Sequence, residues 1–128
     1  MDIVTHKQLN ILIQLAEVDK HFAKNEREMI FKIARERQFP EETVLELIKN
    51  PEPIDALGAL SIDQKFEYLL SCINLIFADH YVFESEIIFC KSIAIKLGFK
   101  KAIIEYFIEN YEIKSKEELR QISLSEYI

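Results

Sequence analysis

The sequence predicts an all-α protein, a single helical bundle of about seven helices. Three observations carry that expectation. Apolar residues recur at helical spacing along almost the whole chain, and strict alternation over strand length is absent. Glycine and proline are scarce, with 2 Gly and 3 Pro in 128 residues. Glycine at a usual ~7% would give several times as many, so turn-dense β architectures are disfavoured. Finally, the chain aligns with itself at an offset of 60 residues.

The elements follow in order. Leu9, Leu12, Ile13 and Ala16 form the first stripe, over about 6–20. Met29, Ile30, Ile33 and Ala34 mark a second helix over 25–38, and 41–49 a third, with Pro40 expected at its first position. Residues 50–60 hold Pro51, Pro53 and Gly58 and are expected to be a linker. Phe66, Leu69, Leu70, Ile73 and Phe77 mark a helix over 62–79; Ile87, Cys90, Ile93, Ala94 and Leu97 mark one over 85–97 that Gly98 ends. Ile103, Ile104, Phe107, Ile108 and Tyr111 mark 100–111, and a tail helix covers 116–122. Thr5…Gln8, Ser61…Gln64 and Ser115…Glu118 have the capping-box form S/T-x-x-E/Q.

The self-alignment pairs residues 12–48 with 72–108 without a gap. Identical pairs are Ile13/Ile73, Leu15/Leu75, Asp19/Asp79, Glu26/Glu86, Ile33/Ile93, Ala34/Ala94, Phe39/Phe99 and Ile48/Ile108. Most are apolar and fall on the proposed core stripes; the other two are acids seven residues apart in each half. The chain is therefore expected to be one domain over 1–128. Repeat one covers about 6–49, the linker 50–60, repeat two about 61–111, and a C-terminal tail helix lies within 115–128. A three-helix unit cannot bury its apolar faces alone, so two would pack about a pseudo-two-fold.

Charge and motifs narrow the function. The net charge is −6, and each half, 1–60 and 61–128, carries 8 basic and 11 acidic groups. Such a chain repels phosphate backbones, so no nucleic-acid partner is expected. Gly-rich phosphate loops, GxSxG and HExxH are absent, and no enzymatic activity is expected. Cys72 and Cys90 lie in apolar stretches without CxxC spacing; core packing and a disulfide or reactive thiol are both open. The first residues lack the basic and apolar regions of a signal peptide. The longest largely apolar stretch, 69–78, falls short of the about 18 residues of a membrane span. A cytoplasmic protein without membrane insertion is expected.

The acidic pairs Asp19…Glu26 and Asp79…Glu86 are the candidate site. Each Asp ends one helix and each Glu enters the next. In this respect the chain resembles the tellurite-resistance TerB-like family. The resemblance rests on 15–19 with Glu26 (Leu-Ala-Glu-Val-Asp), on 75–79 with Glu86 (Leu-Ile-Phe-Ala-Asp), and on 33–39 and 93–99; it covers roughly 8–110. The chain has Lys20 and His80 at the family's Gly position, and Ala23 and Phe83 at its Ser/Thr position. The resemblance implies an all-α bundle of duplicated helical units, of a kind found in tellurite-resistance clusters and beside a DnaJ-type co-chaperone. It also links the acids to metal.

Two roles for Asp19, Glu26, Asp79 and Glu86 are therefore expected. They would hold a divalent cation, Ca²⁺ or similar, if both turns come together, or they would cap helix N-termini. His6, His21 and His80 lack zinc-site spacing. The function expected is a non-enzymatic binding or sensing module, with a metal-free protein-interaction scaffold or homodimer as the alternative. Ile87, Ile88, Phe89, Ile93 and Ile95 cannot share one face, so 85–97 is expected to be an inner helix or to expose an apolar patch.

Overall fold

The computed structural model describes residues 2–18, 22, 24–78 and 82–128. These form seven helices: α1 (Ile3–Glu17), α2 (Lys24–Glu36), α3 (Glu41–Lys49), α4 (Ile62–Ile76), α5 (Glu84–Lys96), α6 (Ile103–Asn110) and α7 (Lys116–Glu126). No helix among them is long and apolar enough to cross a membrane.

Helices α1 and α4 are the inner pair. Buried positions run almost around α1 (Gln8, Leu9, Asn10, Ile11, Leu12, Ile13, Leu15, Ala16). The same holds for α4 from Tyr68 to Ile76, Asn74 excepted. A helix that is apolar on all sides must be covered on all sides. The two pack on each other, and α2 and α5 each lie across both. Helix α3 closes α1 and α2, while α6 closes α4 and α5. Helices α2 and α5 are set 60 residues apart and have equal length, 13 residues each.

Of the two expectations for α5, an inner place or an exposed apolar patch, the inner place is taken by α1 and α4. Helix α5 buries only Glu86, Cys90, Ile93 and Ala94, and leaves Ile88 61% and Ile95 59% exposed. Helix α7 does not cover that face. It packs on α6, buries Leu119, and pairs Lys116 with Glu67 at 2.6 Å and Arg120 with Asp63 at 2.5 Å, both at α4.

Caps explain most helix starts. Ser61 and Ser115 form full capping boxes with Gln64 and Glu118. The first helix starts earlier than the Thr5…Gln8 pattern suggests. Asp2 is its cap and accepts the Val4 and Thr5 N–H groups, while Thr5 is buried inside the first turn. Asp2 is the better cap because its carboxylate also takes the Thr5 hydroxyl at 2.5 Å. Gln8 is thereby released to the interior. Pro40 sits one residue before α3, as its N-cap.

The segment 51–60 is not a loose linker. The Asn10 side chain donates to Glu52 O at 2.9 Å and accepts Glu52 N–H at 3.0 Å, as a paired strand would. Gln14 donates to the same carbonyl, and Leu57 is buried.

Helices α2 and α5 end alike. Gly98 takes φ +91° and Gln38 takes φ +54°, with Phe99 N bonded to Ala94 O and Phe39 N to Ala34 O. This is the Schellman closure, for which glycine is the natural residue. A side chain there costs about 1 kcal/mol. Gln38→Gly should raise the unfolding free energy by about 1 kcal/mol in urea titrations, and Gly98→Ala should lower it by a similar amount.

Candidate functional site

Glu26 and Glu86 both occupy the first turn of their helices and are 1% and 0% exposed. At α5, Phe83 is the extended N-cap residue and offers no side-chain acceptor. The Glu86 Oε1 accepts the Phe83 N–H at 3.0 Å instead. The carboxylate thus satisfies one of the orphan donors of the helix start and lies at its positive dipole end. This is the capping role expected from sequence, carried by Glu86 without a hydroxyl partner.

Asp19 and Asp79 lie outside the described residues, as do Lys20, His80 and Ala23. Among the described residues, no group of three or more His, Cys, Asp or Glu is close enough to hold a metal ion. Glu26 and Glu86 alone therefore do not make a cation site. What the structure does supply is a link between residues that flank the candidate acids. Asn25, next to Glu26, donates to the carbonyl of Ala78, next to Asp79, at 3.2 Å. The start of α2 and the end of α4 are thus joined across the inner pair.

Cys72 and Cys90 are both buried free thiols, on α4 and α5. They contact each other. The Cys72 hydrogen bond, burial, and the nearby Glu86 charge push the Cys90 thiol well above its ordinary range. Such a thiol stays protonated and is not a nucleophile.

His6 pairs with Glu52 at 2.7 Å and leans on the Phe39 ring at 5.9 Å. Together with Asn10 and Leu57 it borders a cavity of about 310 Å³ between α1 and the 51–57 segment. His21 and His80 are outside the described residues.

The sequence reading missed a polar groove of about 530 Å³ between α1, α2 and α4. Its floor is the Gln8–Ser71 hydrogen bond at 3.1 Å, with both residues buried. A signal was present. Gln8 precedes Leu12 by four residues and Ser71 lies among Leu70, Cys72 and Ile73, so polar side chains interrupt otherwise apolar core positions. The capping-box reading gave Gln8 a different task.

Comparison with protein-family models, with curated proteins and with solved structures gives no match.

The burial of both thiols leads to a direct expectation. At pH 8, Cys72 and Cys90 should resist a thiol-alkylating reagent in the folded protein and react fully in denaturant. Mass spectrometry of the timed adducts would check this, and rapid native labelling would contradict it.

Proposed function

We propose that the chain is a non-enzymatic, TerB-like binding or sensing module that responds to a divalent cation at its two acidic turns. Asp19, Glu26, Asp79 and Glu86 are its ligands, and Ca²⁺ or a similar hard cation is the ligand class. The observation that supports this reading is the Asn25–Ala78 hydrogen bond, which links the residue before Glu26 to the residue before Asp79. Two buried carboxylates, Glu26 and Glu86, stand in the first turns of α2 and α5. Hard cations take six to eight oxygens, several of them carboxylate, and four acids with nearby carbonyls are of the right chemistry. By the TerB resemblance, the setting would be a cytoplasmic stress response of the tellurite-resistance kind.

A cation bridging the turns would act on α1, α2, α4 and α5 together, because each turn joins an inner helix to an outer one. Metal would stabilise the bundle and fix the relative position of its halves.

A second reading is favoured by a separate observation. Ile88 and Ile95, seven residues apart on one face of α5, stand in solvent with Phe83 38% exposed at the same helix. In that reading the module is a metal-free scaffold, and this strip meets a partner protein or a second copy.

Thermal unfolding of demetallated protein titrated with Ca²⁺, Mg²⁺, Mn²⁺ and Zn²⁺ tests the first reading. An ion at about 100 times its Kd should add about 2.7 kcal/mol, on the order of 10 °C in Tm. Asp19→Asn/Asp79→Asn should abolish that rise. No rise with any ion, or a rise that persists in the double variant, would contradict it and turn attention to the α5 strip.

A further inference from the structure

The groove between α1, α2 and α4 contains a buried acceptor that the fold leaves unmatched. Gln8 is 3% exposed, and its Nε2 donates to Ser71 Oγ at 3.1 Å. Ser71 gives its one hydroxyl proton to Tyr68 O at 2.7 Å. Ser71 therefore has only lone pairs left for Gln8, which fixes the amide with its NH₂ toward Ser71. The Gln8 Oε1 is left buried with no hydrogen-bond partner. An unmatched buried acceptor is costly, so the site calls for a donor from outside the chain.

The rest of the groove limits what that donor belongs to. The Tyr111 hydroxyl donates to Asn74 Oδ1. With its oxygen so engaged, the Asn74 amide has its NH₂ available as a donor. The Tyr111 ring is stacked on Phe77 at 4.8 Å with an interplanar angle of 6°, giving one wall a fixed position. At the rim stand two cations, Lys32 and Arg37, and two anions, Glu36 and Glu67. Glu36 pairs with Lys32 at 3.9 Å and Glu67 with Lys116 at 2.6 Å, both exposed pairs of small worth that a ligand can exchange. With both signs at the rim, a simple anion and a simple cation each meet a like charge as well as an opposite one. A dipolar ion satisfies both. The cavity, about 530 Å³, is of small-molecule size.

The geometry points to a binding site for a zwitterionic small molecule of the α-amino acid class in this groove, its ammonium donating to Gln8 Oε1 and its carboxylate held by Lys32 and Arg37. The site is separate from the acidic turns and rests on neither the metal nor the family reading. Gln8 supplies the discriminating contact, because a buried acceptor rejects ligands that lack the donor. The rim cations supply attraction and orientation.

The test is thermal unfolding of the full chain with each common L-amino acid at millimolar concentration, and with propionate and ethylamine as half-ligands. The expected result is a rise of several degrees for one or a few amino acids at saturation and none for either half-ligand. Calorimetric titration should then show a loss of affinity of tenfold or more in Lys32→Ala/Arg37→Ala, whose side chains are exposed and whose removal spares the core. Gln8→Leu should lose binding as well; if that variant fails to fold, the rim variant decides alone. No stabilisation by any amino acid would overturn the proposal and leave Gln8 Oε1 to solvent. An equal rise with propionate, or affinity unchanged in the rim variant, would overturn it too.

Discussion

The mutual burial of α1 and α4 is the constraint on which everything else in this molecule depends. Each carries apolar residues around nearly its whole circumference, from Leu9 to Ala16 and from Phe66 to Ile76. Neither has a face that water could wet, so each needs the other, and both need the outer helices as cover. The outer helices are amphipathic and lie across the pair. Helix α2 buries Ile30 and Ala34, and α5 buries Cys90, Ile93 and Ala94. The polar links along the pair have an order. The Tyr68 hydroxyl donates to Val4 O, Gln8 meets Ser71, and Asn25 meets Ala78. The start of α2 meets the end of α4 because α2 lies across the inner pair.

A core this apolar must account for every polar group it encloses. Asn10 does so by pairing with both backbone groups of Glu52, which secures the connection between the halves. Tyr68 does so through Val4 O, and its phenol is pushed up to about 12, chiefly by burial and secondarily by Asp2. Glu86 does so by taking the Phe83 N–H at the start of α5. Gln8 is half-matched, through its NH₂ alone, and the Tyr106 hydroxyl is likewise enclosed without a hydrogen-bond partner. Exceptions of this kind collect where a protein binds something.

Much of the fold was legible in the sequence, because helix periodicity and cap chemistry are local. The stripes at Leu9–Ala16 and Phe66–Ile73 marked the two inner helices, and Ser61 and Ser115 marked two helix starts correctly. Misreadings came where two local signals competed. Asp2 outbid Thr5 as the cap of α1, since a carboxylate can take two N–H groups and a hydroxyl at once. For helix α5 the isoleucines left an inner place and an exposed apolar patch both open; Ile88 and Ile95 are outside, because the inner places are filled by longer and more uniformly apolar helices. Of the candidate acids, Glu26 and Glu86 stand in the helix first turns where the sequence puts them, but their burial needs the packed bundle and has no local sign; Asp19 and Asp79 lie outside the described residues. The groove at Gln8 needs three helices to meet and has no local signature beyond a polar residue in an apolar stripe.

Native-state hydrogen exchange tests the central claim most directly. If α1 and α4 hold the molecule together, their amides exchange only through global unfolding, with one shared opening free energy that tracks denaturant, while α7 opens earlier. Protection that persists in α4–α6 while α1–α3 exchange freely would mean that the halves are independently stable, and would contradict the account.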